Sequence, residues 1–104
     1  MAKTMYSISL NYNKAQQQAK NLDSIASQLR SSVGKLQSCK GNISSAWKGE
    51  NATAYLKKLE MVANNLDKIE KNVNKIASTV RSNSKRTYDA EVNALNIAKK
   101  RNYK

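Results

Sequence analysis

Apolar residues recur through most of the chain at alternating spacings of three and four positions. In the first half they form two interleaved registers whose members are seven residues apart, interrupted only by Lys40. The first register contains Leu22, Leu29, Leu36 and Ile43, and the second contains Ala19, Ala26, Val33 and Trp47. This heptad pattern is typical of a coiled-coil seam, and it predicts a helix over about residues 10–40.

The second half of the chain carries a matching pair of registers. One contains Leu59, Leu66, Val73 and Val80, and the other contains Tyr55, Val62, Ile69 and Ile76. They predict a second helix over about residues 51–83. Two seams of similar length, separated by a bend at about residues 41–50, indicate an antiparallel pair of helices. We therefore predict an all-α fold, a coiled-coil-like antiparallel two-helix hairpin that occupies residues 1–83.

The predicted bend, GNISSAWKGEN, holds two of the three glycines. Gly41 is a candidate cap for the end of the first helix and Asn51 for the start of the second, while Ser9 or Asn11 begins the first helix. An indole at a hairpin bend can close the open end of the seam and bury a large apolar area, which is the structural role expected of Trp47. Gly49 allows a positive φ, or a close backbone approach, just before the second helix.

A further stripe of mostly small residues lies beside each seam. The simpler interpretation is that the stripe only widens the contact between the two helices. Alternatively it is a dimer surface, which is favoured because a chain of 104 residues with a mean hydropathy of −0.74 buries only a thin core by itself. The candidate partner interface consists of Ile25, Ser32, Cys39, Leu56, Ala63 and Ala77.

The pattern changes phase after Val80, where the polar and basic segment RSNSKRT follows. Helical spacing then restarts on a different face with Tyr88, Val92 and Leu95. We interpret residues 84–104 as a basic C-terminal tail that is partly helical or disordered. The alternative is a frayed terminus with no role.

The residue types needed for catalysis or metal binding are missing from the sequence. It contains no histidine, no paired carboxylates and no glycine-rich phosphate loop, and Cys39 is its single cysteine. General acid–base catalysis, nucleophilic catalysis and zinc binding all depend on such groups. We therefore expect no enzyme activity, no cofactor and no metal, and we interpret Cys39 as a small packing residue beside the seam.

The net charge of +12 favours an acidic partner, an anionic surface or a nucleic acid. A basic nucleic-acid or anion-binding helical module is therefore the alternative function, and the late basic cluster would carry it. That cluster contains Arg81, Lys85, Arg86, Lys99, Lys100 and Arg101. No stretch approaches the roughly 18 apolar residues of a membrane span, and the N-terminus lacks the apolar region of a cleaved signal peptide.

Trp47-Lys48-Gly49 lies between the two matched seams. Here the sequence resembles the WXG family, the early-secreted-antigen type of small type VII secretion protein, over roughly residues 8–83. The resemblance implies a helical hairpin with W-x-G in the bend, and we expect a dimer that completes a four-helix bundle. It implies a substrate, carrier or targeting partner that acts through protein–protein contacts, in virulence or interbacterial competition.

The resemblance also implies partners and a location. The partner would be a second copy, another WXG-type protein or the helical domain of a larger secreted effector, and the type VII membrane ATPase would recognise the pair. No small molecule, nucleic acid or membrane partner is expected. The chain would be cytoplasmic before export and secreted without a cleaved signal peptide.

The secretion motif implied by the family is composite. The W-x-G bend is read together with a C-terminal tyrosine that is followed four positions later by Asp or Glu. Here Tyr88 is followed at that spacing by Val92, although Glu91 lies one helical turn away on nearly the same face. The candidate motif is thus Trp47, Gly49, Tyr88 and Glu91. It is either a variant signal, or the chain lacks a signal of its own and depends on a partner that has one.

Overall fold

A computed structural model of the protein describes residues 4–101, which form two long helices and contain no strand. Helix α1 runs from Met5 to Ala46, and helix α2 runs from Glu50 to Arg101. The two helices pack as an antiparallel hairpin, so the predicted all-α fold is confirmed. Residues 1–3 and 102–104, at the outer ends of the predicted hairpin and tail, lie outside the described range.

The observed helices are longer than predicted, and the bend is shorter. Helix α1 continues through Gly41, because a single helical glycine costs only about 1 kcal/mol and the residues after it do not break a helix. Asn51 lies inside the first turn of α2, and α2 continues through the expected phase change to Arg101. The bend is therefore the three residues 47–49, and the predicted caps Gly41 and Asn51 are wrong.

The start of α1 is fixed by a reciprocal pair of hydrogen bonds. The Ser7 N–H donates to Thr4 Oγ1 at 3.1 Å, and the Thr4 N–H donates to Ser7 Oγ at 3.2 Å. Together these bonds satisfy two backbone donors that a helix N-terminus leaves without intrahelical partners. Thr4 is therefore the N-cap, and neither Ser9 nor Asn11 has that role.

Gly49 provides the backbone conformation that the short bend requires. Its φ is +112°, the only positive φ among the described residues. The Gly49 carbonyl then accepts hydrogen bonds from the Thr53 N–H at 3.0 Å and from Thr53 Oγ1 at 3.1 Å, which anchors the first turn of α2. A Cβ at position 49 would meet no atom within 4 Å, so the requirement is the positive φ rather than a close approach.

The contacts between α1 and α2 divide the hairpin into two compact units. The bend unit is Asp23–Asn74, and the terminal unit combines the described residues up to Leu22 with those from Lys75 onwards. The buried residues of the bend unit are Ala26, Ala52, Ala63 and Glu70, and those of the terminal unit are Ile8, Ala19 and Ala77. The core of each unit is therefore narrow and consists largely of alanine.

The packing corrects one predicted register. Leu59, Leu66, Val73 and Val80 are half-buried in the seam as expected, but Tyr55, Val62, Ile69 and Ile76 are each about half exposed. The neighbouring positions Ala63, Glu70 and Ala77 are buried in their place. Alanine has little bulk, so helices approach most closely along the alanine stripe, and the larger residues one position earlier turn away from the contact.

Replacing Gly49 with alanine should destabilise the hairpin, because a Cβ disfavours a φ of +112°. We expect a loss of about 1–3 kcal/mol in the free energy of unfolding. Urea unfolding followed by circular dichroism at 222 nm measures it. The control is Gly41→Ala, which places alanine in regular helix and should be neutral or stabilising by up to about 1 kcal/mol. Equal stabilities for the two variants would contradict the role assigned to Gly49.

Candidate functional site

Trp47 lies at the bend with its indole partly in solvent. Its side chain is 45% exposed, and its ring centroid is 6.1 Å from that of Tyr55, at an interplanar angle of 52°. This tilted geometry is a favourable aromatic arrangement. The expectation of a buried plug is therefore wrong, because Trp47 packs against the exposed first residue of a stripe on α2.

That stripe continues along α2 as Val62 and Ile69, which like Tyr55 are 47% exposed. Each of the two follows a half-buried seam leucine by three residues. The corresponding positions of α1, three residues after Leu29 and Leu36, are Ser32 and Cys39, with Ile25 seven residues earlier. In an antiparallel pair, equivalent flanks of the two helices lie on the same side. We call Ile25, Trp47, Tyr55, Val62 and Ile69 the apolar face of the bend unit.

The opposite side of the bend unit holds charged pairs between the helices. The Arg30 guanidinium donates through Nε to the Glu70 carboxylate and lies 3.8 Å from Asp67 Oδ1. Farther along, Lys40 Nζ lies 3.5 Å from Glu60 Oε2. These pairs place the polar contacts between α1 and α2 on one side of the seam, so the exposed apolar residues share the other side.

Glu70 is the one buried charged residue among the described positions. Its carboxylate accepts a hydrogen bond from Arg30 and another from Asn74 Nδ2, the latter at 3.4 Å. The hydrogen bond to Glu70, helped by the attraction of the two charges, raises the pKa of the Arg30 guanidinium above its ordinary value. Arg30 therefore stays positively charged beside this carboxylate across the physiological range of pH.

Tyr88 belongs to the terminal unit, where its ring packs on Tyr12. The ring centroids are 4.8 Å apart with an interplanar angle of 42°. The Lys85 ammonium lies 5.7 Å from the centre of the Tyr88 ring and 2.9 Å from Asp89 Oδ1. The hydrogen bond to Asp89 raises the pKa of Lys85. Tyr88 is thus a half-buried part of a packed helix, and not a free linear motif.

Tyr88 and Glu91 line the same open cleft between the two helices of the terminal unit. The helical spacing therefore places the ring and the carboxylate on the wall of one cleft. The apolar walls of the cleft are Ile8, Ala15 and Val80. Beside it, the Gln16 amide donates to Ser84 Oγ at 2.8 Å.

A long helix on each side of a bend that contains W-x-G is the arrangement expected from the sequence, although the bend has only three residues. Residues 7–91 match the family described as WXG100, proteins of 100 residues with WXG.

The chain belongs to the WXG100 family.

Membership confirms the expected family and makes the chain a small helical protein associated with type VII secretion and export. The family is non-enzymatic and acts through protein–protein interaction in secretion. Comparisons with curated proteins and with solved structures found no significant match.

Two searches of the described residues bear on other classes of function. Neither helix contains a segment that is long and apolar enough to span a membrane. Within residues 4–101, no group of three or more His, Cys, Asp or Glu side chains is placed to hold a metal ion.

The WXG100 hairpin divides the predicted partner interface between buried and exposed positions. Ala63 is 3% exposed and Ala77 is fully buried, so both belong to the contact between the chain's own helices, and Leu56 is half-buried there. On α2 the predicted stripe of small residues therefore widens the contact between the two helices. On α1, Ile25, Ser32 and Cys39 are exposed and stay candidates for partner binding.

Two aromatic residues of this arrangement were not predicted as site residues. Tyr12 supports Tyr88, and Tyr55 supports Trp47. Tyr12 precedes Ala19 by seven residues, so extending that register one step towards the N-terminus places it on the seam. Tyr55 was assigned to the seam itself, and only the packing shows that it faces outwards.

Arg30→Met should lower the urea midpoint of unfolding more than Lys71→Met does. The first change leaves the buried Glu70 carboxylate with only the Asn74 amide, whereas Lys71 pairs with Asp67 at the surface, where ion pairs contribute little. Both variants remove one positive charge and keep an unbranched side chain. If the two midpoints were equal, the Arg30–Glu70 pair would not support the seam.

Proposed function

We propose that this WXG100 protein is exported by a type VII secretion system and acts by binding another helical protein through its apolar face. The observation that carries this proposal is the exposure of Tyr55, Val62 and Ile69 on one side of the seam, opposite the ion pairs of Arg30 and Lys40. Burying exposed apolar surface favours association by roughly 25 cal/mol per Å². A partner hairpin on this face would complete a four-helix bundle.

We further propose that the secretion system reads the folded helices. Trp47 is accessible at the bend, and Gly49 sets the direction in which α2 leaves it. Tyr88 and Glu91 lie together at one cleft, which supports a variant of the family signal with its acidic residue three positions after the tyrosine. The chain then acts as a substrate, or as a carrier that brings a larger effector to the membrane ATPase. Binding of nucleic acid stays the alternative, and the salt dependence of DNA affinity tests it.

Export tests the proposal directly. Tagged protein should appear in the culture supernatant of the native host and be absent from that of a strain lacking the type VII ATPase. Trp47→Ala should reduce export strongly, because it removes the accessible indole of the bend. Met61→Ala is the control, since it also truncates an exposed apolar side chain but lies off the apolar face. Export that is independent of the ATPase would end the secretion proposal.

A second set of variants distinguishes the role of Tyr88 in export from its packing against Tyr12. Tyr88→Ala should reduce export severalfold, while Tyr6→Ala, at a tyrosine that is 77% exposed, should leave it unchanged. Tyr12→Ala removes the supporting ring and leaves the Tyr88 side chain itself unchanged. If Tyr12→Ala abolishes export as fully as Tyr88→Ala while both proteins keep their helicity, the packed ring pair is required, and not Tyr88 alone.

A further inference from the structure

The helical part of the apolar face, which excludes Trp47 in the bend, is bordered by lysine and has no acidic residue among its nearest neighbours. On a helix, the nearest neighbours of a residue lie three or four positions away. None of the residues at these spacings from Ile25, Tyr55, Val62 or Ile69 is Asp or Glu, and the charged one among them is Lys58. Lys35 occupies the equivalent position on α1 beside Ser32 and Cys39, and Lys68 lies one row farther out on α2.

The acids of the bend unit are placed elsewhere. Glu60, Asp67 and Glu70 form ion pairs with basic residues on the opposite side of the seam, and Glu50 lies at the start of α2. Asp23 precedes Arg30 by seven residues and therefore lies on the flank of α1 that carries the ion pairs. The side of the hairpin with exposed apolar residues is thus also the side with uncompensated positive charge.

A second copy of the chain is a poor occupant for such a face. Each copy carries a net charge of +12, and two apolar faces in contact would bring Lys35 and Lys58 of one chain towards the same residues of the other. Like charges placed together across an interface suppress association, whereas complementary charges speed it and select the partner. The apolar stripe favours docking, while the surrounding lysines select what docks.

We propose that the occupant of the apolar face is an acidic helical protein, whose own apolar stripe is bordered by Asp and Glu, and not a second copy of this chain. The inference rests on the proposed function, because it identifies the chemistry of the partner that the function requires. The lysines then act as a specificity device, since they leave the isolated chain monomeric until an acidic partner is present.

A charge-reversed copy of the chain serves as the acidic probe. The variant Lys35→Glu/Lys58→Glu/Lys68→Glu keeps the apolar face and replaces its lysine border with carboxylates. Sedimentation equilibrium at an ionic strength of about 0.01 M, where the screening length is about 30 Å, should show monomers for the wild type alone. An equimolar mixture of wild type and variant should form a one-to-one dimer. At about 1 M salt, where the screening length is about 3 Å, the pair should weaken by at least tenfold.

Control variants distinguish binding at the apolar face from an effect of the net charge. Lys20→Glu/Lys57→Glu/Lys99→Glu changes the net charge equally at exposed positions on the outer sides of the helices, and it should not pair with the wild type. Val62→Gln/Ile69→Gln in the wild-type chain should abolish pairing with the charge-reversed copy, whereas Met61→Gln should not. Circular dichroism confirms that every variant keeps its helices.

Cys39 provides a second readout that does not depend on mass. It is the single cysteine, it is exposed, and it lies on the α1 flank of the apolar face. A thiol reagent should modify wild-type Cys39 at least severalfold more slowly once the charge-reversed copy, carrying Cys39→Ser, is bound. An unchanged rate in a mixture that sediments as a dimer would place the contact elsewhere and overturn the inference.

Three further outcomes also contradict it: a stable wild-type dimer at low ionic strength, no pairing with the charge-reversed copy, or equal pairing with the Lys20/Lys57/Lys99 control. These experiments use purified protein alone, so they are independent of export. If export depends on the ATPase but the purified proteins do not pair, the inference of an acidic partner is wrong and the proposed function stands. If the proteins pair but the chain is not exported, the inference about the partner stands and the secretion proposal is wrong.

Discussion

The close packing of α1 on α2 along alanine is the constraint on which the other features of the molecule depend. Ala26, Ala52 and Ala63 are buried in the bend unit, and Ala19 and Ala77 are buried in the terminal unit. Helix separation depends on the side chains at the contact, and small side chains allow the shortest separation. Because alanine occupies the closest contact, Tyr55, Val62 and Ile69 lie beside the seam, where they are exposed.

One side of this narrow seam is held by charge and the other is left apolar. Arg30 reaches across to the buried Glu70 carboxylate, and Lys40 reaches Glu60 nearer the bend. A buried carboxylate is tolerated only when it is paired and hydrogen-bonded, so the charged residues on this side of the seam stabilise the hairpin itself. The apolar side has no such ion pair among the described residues, and its exposed side chains make it the surface proposed to bind another chain.

The aromatic residues connect this packing to the family motif. Trp47 packs on Tyr55 at the bend, and Tyr88 packs on Tyr12 in the terminal unit. In each pair, one residue belongs to the predicted secretion motif and the other to the heptad pattern of the hairpin. The motif is therefore part of the folded hairpin, and a change in the supporting tyrosine alters how the motif is presented even though that residue lies outside it.

The sequence by itself determined the two helices, their antiparallel arrangement and the place of the bend, because heptad spacing and W-x-G are local or periodic signals. It also indicated that Gly49 allows a positive φ or a close backbone approach, and the structure showed that the positive φ is what the bend uses. The helix ends were less accurate, because the polar residues after Gly41 and after Val80 are compatible with helix and contain no stop signal.

Which apolar register faces the partner helix was decided only by the tertiary structure. Val62 and Ala63 are adjacent on α2, and either can complete a heptad with Leu59 and Leu66. The choice depends on how closely α1 approaches and on the pairing of Arg30 with Glu70, and both are interactions between residues far apart in the chain. Hydrophobicity alone favours valine over alanine at a seam. Close packing favours alanine, and it leaves valine exposed.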